Sequence, residues 1–298
     1  MENCLIIINK SAGSADKISF DTVKKVLGAR YKYACHTLPA DGKPHLDDYD
    51  ALAVCGGDGT LSTVLDEVHD AKKDVYYFPY GTLNDKAKAG RSKHTKIWTK
   101  TQNKTKSAES RESRAVVGIV KEKNKSTVFS YVFAAGTFTP IGYKTSVKMK
   151  KKFGVLAYLA EVVKEYKVTR IAATVTADGK TYEGEFALIM FIKSPRCFGF
   201  KFNKAYDGDD VSGHLVLIRS PKHGGIIGKI ETFFPFFRVF FMGLKNEREG
   251  NIVFKKFNRL NATFDLPTDF CKDGEKESID GNIAVEFERT ECRLNLML

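Results

Sequence analysis

Apolar positions recur along this chain in two rhythms, and the change from one to the other divides it. Up to about residue 112, short unbroken apolar runs alternate with segments whose apolar residues fall three and four apart. CLIIIN (4–9), YKYACHTLP (31–39), YDALAVCGG (49–57) and DVYYFPYGT (74–82) read as strands, each closing on turn-forming residues. FDTVKKVLGA (20–29), LSTVLDEVHDA (61–71) and LNDKAKA (83–89) read as helices; Leu61, Val64, Leu65 and Val68 share one face. Strands alternating with helices predict a parallel sheet, which takes ligands at the carboxyl ends of its strands.

From about residue 113 the second rhythm takes over. RAVVGIVKEKNKSTVFSYVFAAG (114–136) reads as a hairpin-like pair, and RIAATVTADGKTYEGEFALIMFIK (170–193) as another, with Asp178-Gly179 at its turn. HLVLIR (214–219), NATFDLP (261–267), NIAVEFE (282–288) and CRLNLML (292–298) add short strands; GVLAYLAEVVKEY (154–166) is the helical exception. The expected fold is α/β plus β. A Rossmann-like parallel α/β domain covers 1–112, with 290–298 returning to it, and an antiparallel β-sandwich-like domain covers 113–289.

Composition narrows the class. A 43% hydrophobic and 12% aromatic chain of 298 residues is globular, and no apolar stretch reaches the roughly 20 residues of a membrane span. MENCLIIINKSAG lacks a basic region ahead of its apolar run and a small-residue cleavage site, so no secretory signal is expected. The six cysteines are scattered without a CxxC pair, which argues against zinc or a disulfide framework and suits a reducing cytoplasm. A net charge of +12 calls for polyanionic partners. It is concentrated: 86–106 holds seven lysines, one arginine and no acid, and KTSVKMKKK occupies 144–152.

The candidate chemistry lies in AVCGGDGTLSTVLDEV (53–68). A turn rarely needs Gly56, Gly57 and Gly59 together. Set between a strand and a helix, they would leave backbone N–H groups bare to surround a phosphate at the helix N-terminus. Thr60 would cap the helix or bind a phosphate oxygen. Asp58, among such amides, needs a metal ion or a proton-donating hydroxyl nearby. No GK[ST] follows, so this is not a Walker A loop. FPYGTLNDKAKA (78–89) repeats the arrangement, with Gly81-Thr82 at a strand end and Asn84-Asp85 at a helix start.

GGDGT followed by PxGTxND resembles the diacylglycerol kinase catalytic domain, shared by diacylglycerol, sphingosine and related lipid kinases and more distantly similar to NAD kinases. INKSAG (8–13) resembles that family's NPxSG, keeping Asn9 and Gly13 with Lys10 in place of proline. Thr37, at the second strand's end, matches a nucleotide-contacting position of soluble bacterial members. FAAGTFTPIGYKT (133–145) and the stretch after it are similar to those same enzymes. KAYDGDDVSGHLVLI (204–218) resembles the AxxxDDGxL segment that holds a structural magnesium, and CKDGEKE (271–277) the late DGE motif. The chain departs from the pattern in four places. Ser62 and Thr63 replace the usual glutamate after GGDGT, Val211 and Ser212 lengthen the metal segment, Phe133 and Ala134 stand where an asparagine is common, and RAVVGI carries no acid.

The resemblance implies transfer of the γ-phosphoryl group of ATP, with Mg2+, to a lipid hydroxyl, most directly diacylglycerol to phosphatidic acid, in phospholipid metabolism. It implies ATP contacts at Asn9, Gly13, Thr37, Gly56, Gly57, Asp58, Gly59, Thr60, Gly81, Thr82, Asn84 and Asp85. It implies metal ligands at Asp209, Asp210 and Leu215, and Glu275 as general base with Asp58 and Asp273 as further catalytic carboxylates. With GGDGT and DGE in different domains, the active site is expected in the cleft between them. Read alone, DGE is equally a type I′ hairpin turn with a solvated glutamate. FFPFFRVFFMGL (233–244), with six phenylalanines, reads as core or as an amphipathic or pocket-lining segment for an acyl chain. With the basic runs it points to a cytoplasmic protein peripherally associated with an anionic membrane. Two other readings stand beside the lipid kinase: an NAD kinase-like enzyme, and a non-catalytic basic protein binding anionic lipid or nucleic acid. No nucleic-acid module is visible, so no nucleic-acid partner is expected; a homodimer is left open.

Overall fold

The computed structural model describes residues 1–90, 114–123, 125–137 and 168–297. Most of the basic run at 86–106, the run at 144–152 and the helix expected at 154–166 lie outside them. The chain forms two compact units, Met1–Ala115 with Arg289–Leu298, and Val116–Glu288.

The first unit is a parallel sheet. Strands β1 (Glu2–Asn9), β2 (Tyr31–Leu38), β3 (Ala51–Gly56) and β4 (Asp74–Pro79) stand in the order β4-β3-β1-β2, all parallel. β3 is buried along its whole length, which is why its sequence shows an unbroken apolar run rather than alternation. Helix α1 (Phe20–Leu27) starts at Ser19, whose Oγ accepts the Thr22 N–H. α2 (Asp58–Val68) follows β3, and the short α3 (Asp85–Gly90) follows β4. The sheet is completed from the far end of the sequence: residues 293–296 lie parallel to 74–77 of β4. There the Arg293 guanidinium grips the buried Asp74 carboxylate with Nε and Nη2 at 2.6 and 3.0 Å.

The second unit is antiparallel, as expected. β5 (Arg114–Glu122) pairs with β6 (Lys125–Phe129), while β7 (Val132–Gly136) pairs with strands β9 and β15 rather than continuing that hairpin. β8 (Ile171–Ala177) and β9 (Lys180–Ile192) form the hairpin turning at Asp178-Gly179, both in left-handed backbone. β10 (Arg196–Cys197) and β11 (Phe200–Lys201) make a small separate pair. β12 (Gly213–Arg219) lies between β9 and β13 (Ile252–Phe257). β14 (Arg259–Phe264), β15 (Thr268–Lys272) and β16 (Glu275–Ile279) follow. NIAVEFE and CRLNLML are one strand, β17 (Asn282–Leu296), not two: its buried positions are 283, 285 and 287, then 290, 292 and 294, so the inward face changes phase at Glu288-Arg289 while the strand continues.

Alternation assigns the side chains of this unit to two cores. Phe133, Phe191, Leu215 and Leu217 point to one face, where Phe133 stacks on Phe270 at 4.5 Å between ring centres. Val132, Ala134, Met190, Val216 and Ile218 point to the other. Helix α4 (Gly225–Phe237), continued by a π turn over Arg238–Met242, packs Phe236 and Val239 against that second face. The sequence places FFPFF on a helix only after the structure supplies its first two turns, GIIGKIET, which carry no amphipathic period.

His214 is buried at the start of β12. Its ring stacks on Phe254 at 5.0 Å, and its Nδ1 meets the Asn203 amide at 3.3 Å. Burial, then the positive charges of Lys193 and Lys256, push its pKa from 6.5 down to about 4. The unfolded chain therefore binds the extra proton first, so stability is full above about pH 6.5 and falls as the pH drops toward 4. Urea unfolding across that range should show a loss of up to about 3 kcal/mol. His214→Gln should flatten it, and an equally steep loss in that variant would place the proton elsewhere.

Candidate active site

Three loops meet at the carboxyl ends of β1, β3 and β4, and they are joined to one another by side chains as much as by backbone. The first, after β1, is fixed by Asn9: its Nδ2 donates to Thr60 Oγ1 at 2.8 Å and its Oδ1 accepts the Ser11 N–H at 2.9 Å. Ser14 N–H donates to Tyr80 O in the third loop at 2.9 Å. The second loop opens α2, with Gly57 at the cap position. Thr60, read from the sequence as a cap or phosphate ligand, is not the cap, which is Gly57; its Oγ1 accepts the Asn9 amide. Thr37 stands one strand over, opposite Ile8, its N–H on the Asp41 carboxylate at 2.7 Å.

Asp58 is the knot. Its carboxylate is 7% exposed and accepts the N–H groups of Asp85 at 2.7 Å and Lys86 at 3.2 Å, with the Tyr77 hydroxyl at 3.3 Å. The sequence asked for a metal or hydroxyl beside this carboxylate; the structure supplies the first amides of α3 and a tyrosine that no motif signalled. Asn84 turns the chain into α3 in left-handed backbone, and its Nδ2 donates to Pro79 O and Gly81 O at 3.1 and 2.8 Å. Asn84 Oδ1 is buried and has no hydrogen-bond donor among the described residues.

The glycines serve this closeness. A Cβ on Gly81 would stand 2.5 Å from Gly57 Cα and 2.6 Å from Asn84 Oδ1; one on Gly13 would stand 2.5 Å from Thr82 Oγ1. One on Gly56 would stand 2.6 Å from Thr60 Oγ1, whereas Gly57 meets only Gly81 Cα, at 3.3 Å. Bare backbone at Gly13, Gly56 and Gly81 thus lets the loops touch, and Gly57 has the most room beside it.

In the second unit Asp273-Gly274 is the two-residue turn joining β15 to β16, both residues with positive φ (+50° and +104°), so the DGE motif has the hairpin geometry weighed for it. Asp273 is 2% exposed and its carboxylate accepts the backbone N–H groups of Ser130, Tyr131 (3.0 Å) and Val132 (2.8 Å). It ties the β6–β7 turn to the β15–β16 turn. Glu275 follows as the first residue of β16, exposed to solvent.

The segment expected to hold a structural magnesium contains a cation of its own. Lys193, 3% exposed at the end of β9, donates its ammonium to Asp207 O at 2.9 Å and to Asp210 O, and stands 5.4 Å over the Tyr206 ring. Lys256 pairs with the Asp210 carboxylate, holding it below the ordinary carboxylate range. Asp209 is exposed, and Leu215 lies in β12 with strand partners on both sides. Among the described residues no three His, Cys, Asp or Glu side chains are placed to hold a metal ion. As arranged, Asp210 is held by ammonium groups, its carbonyl by Lys193 and its carboxylate by Lys256, so of the expected ligands Asp209, Asp210 and Leu215 it is Asp210 that fits a structural magnesium poorly. Nothing in the sequence flagged Lys193, which follows an ordinary apolar run.

Residues 3–116 match the family model of the diacylglycerol kinase catalytic domain. That match lies in the first unit and covers 114 of the 298 residues, so this part of the chain is similar to the diacylglycerol kinase catalytic domain. A diacylglycerol kinase of Bacillus subtilis is 24% identical over 295 residues, covering 92% of this chain and 90% of its own. One from Staphylococcus carnosus is 28% identical over 158 residues; there the match spans about half of each protein, 52% of this chain and 49% of the relative. A diacylglycerol kinase structure from Bacillus anthracis superposes with a TM-score of 0.59 at 16% identity, covering 98% and 96% of the two chains, a likeness of fold.

Two measurements check this description. Gly81→Ala should cost about 1–3 kcal/mol in urea unfolding while Gly57→Ala costs less, because only the former drives a Cβ into backbone; equal costs would refute the close-approach role. Chelation by EDTA should leave the thermal midpoint of the nucleotide-free protein unchanged, and Lys193→Met should lower its stability by about 1–3 kcal/mol through the carbonyls left unpaired. A magnesium-dependent midpoint in the parent protein would restore the metal.

Proposed function

We propose that the protein is an ATP-dependent lipid kinase that phosphorylates the free hydroxyl of diacylglycerol to give phosphatidic acid. The observation that carries the nucleotide half is the interlocked trio of loops at the strand ends. It combines the α2 N-terminus, the open side of Gly57 and a buried Asn84 Oδ1 that still wants a donor. A bound ATP would bring hydrogen-bond donors to such an acceptor, so the residues fit the nucleotide. Asn9, Gly13, Thr37, Gly56, Gly57, Gly59, Thr60, Gly81, Thr82, Asn84 and Asp85 form its binding set. Magnesium bound with the nucleotide would supply neutralisation of the charge on the transferring phosphoryl group. The lipid half is supported by the family match and by the relatives named diacylglycerol kinase.

Within this reading the carboxylates separate by environment. Asp58 has both oxygens occupied by N–H donors, so it positions the loops. Asp273 does the same for two turns of the second unit. Glu275 is the carboxylate with free lone pairs, and it takes the proton of the lipid hydroxyl. The partner surface is an anionic membrane, on the strength of the +12 charge; no described helix is long and apolar enough to cross one.

Glu275→Gln should lower single-turnover phosphorylation of diacylglycerol in mixed micelles by about 10²–10⁴-fold with ATP affinity unchanged. Asp58→Asn should instead weaken ATP binding, since its new amide N–H groups would face the amides of Asp85 and Lys86. Normal turnover by Glu275→Gln ends the base assignment. Phosphorylation of NAD, with diacylglycerol untouched, would replace the lipid reading with the NAD kinase one.

A further inference from the structure

Helix α4 breaks the rule that an outward helix face is polar. Its inner side is conventional: Gly228, Thr232 and Phe236, with Val239 beyond them in the π turn, are buried at intervals of three and four residues. Its outer side is not. Ile226, Ile227, Ile230, Phe233, Phe234 and Phe237 are all exposed, Ile226 by 78% and Phe234 by 65%. Phe241 and Met242 extend the stripe into the π turn. Of the 12 large apolar side chains exposed among the described residues, these are eight. Phe233, Phe237 and Phe241 stack successively at 5.8 and 5.0 Å, so the stripe is an ordered aromatic ladder. A patch of this kind on one helix marks an interaction surface.

We propose that the outer face of α4 is inserted into the interfacial region of an anionic phospholipid bilayer, with the helix lying in the membrane plane. Length excludes a span: 13 helical residues rise only about 20 Å, short of a hydrocarbon core of about 30 Å. Charge selects the occupant. Lys229 and Arg238 lie within the helix and its π turn and Lys222 and Lys245 flank them in sequence, while Glu231 hydrogen-bonds His223 at 2.7 Å and Glu249 pairs with Lys180. A surface pocket of about 350 Å³ runs beside Phe234 and Pro235, its wall holding Arg238 and Arg248 together with Glu231 and Glu249, so it is of mixed charge. Apolar side chains with basic neighbours are what an anionic interface recognises. The turn before the helix is tied to β9 through Arg170, which donates to Pro221 O and to the Glu185 carboxylate, both at 2.7 Å.

This deepens the lipid-kinase reading, since it names the surface from which a lipid acceptor would be drawn, but it is read without turnover. The full chain, free of ATP and acceptor, is floated with vesicles of phosphatidylcholine alone or with phosphatidylglycerol added. Binding should favour the anionic vesicles, and Ile230→Glu with Phe234→Glu should weaken it by about tenfold or more while the thermal midpoint stays within a few degrees. Phe234→Trp should gain fluorescence that brominated acyl chains quench beyond any quenching of Trp98 in the parent. Unchanged flotation of the doubly charged variant, or no added quenching, overturns the proposal. A parent dimer in sedimentation that the charged variant dissolves, with vesicle binding intact, would make a second copy the occupant instead. Vesicle binding that survives alongside absent phosphoryl transfer would remove the kinase reading and leave this one.

Discussion

The carboxylate of Asp58 on the first amides of α3 is the contact from which the candidate site follows. One oxygen receives Asp85 N–H and the other Lys86 N–H, so the loop after β3 and the loop after β4 are placed by one side chain. A buried charge is tolerable only when its hydrogen bonds are made, and this one is satisfied by amides that a helix start leaves unpaired. That coupling brings the backbone of Gly81 against Gly57, so a side chain is excluded at Gly81 while Gly57 keeps an open side. Asn9 on Thr60 and Ser14 on Tyr80 then bring the third loop into the same assembly. The motif is therefore a lattice of mutual support before it is a ligand site.

The second unit repeats the device with different geometry. Asp273 gathers three successive amides from a neighbouring turn, and its left-handed backbone leaves Glu275 outside. Asp178 accepts the N–H groups of Asn258 and Arg259 at 3.0 Å in the same manner. Lys193 does the converse, an ammonium closing a loop through carbonyls. In each case a buried or turn-held ion stabilises an irregular segment that lacks a ladder of its own.

The alternation of β1 through α3 was legible because burial on both faces leaves unbroken apolar runs and burial on one leaves a helical period. The motifs located the loops, but not why the glycines are there: the atoms that crowd Gly81 belong to Gly57, 24 positions earlier, and no local pattern records them. ERTE hid the continuity of β17, since the buried positions change phase at Glu288-Arg289 and a period-2 pattern therefore breaks in a strand that does not stop. The opening of α4 was invisible for a physical reason. A helix apolar on both sides has no period, and its glycines imitate a loop. Lys193 and Tyr77 gave no signal, because their importance depends on groups brought to them by the fold.

The last strand also imposes an order of events. Residues 293–296 lie beside 74–77, so about 220 residues separate the partners of this edge. During synthesis β4 must wait, with its outer hydrogen-bonding edge unpaired and Asp74 without the Arg293 guanidinium, until the whole second unit has left the ribosome. The unit that carries the three loops is first in sequence and last to be closed. A nascent chain holding only the first 115 residues presents an incomplete sheet to its surroundings.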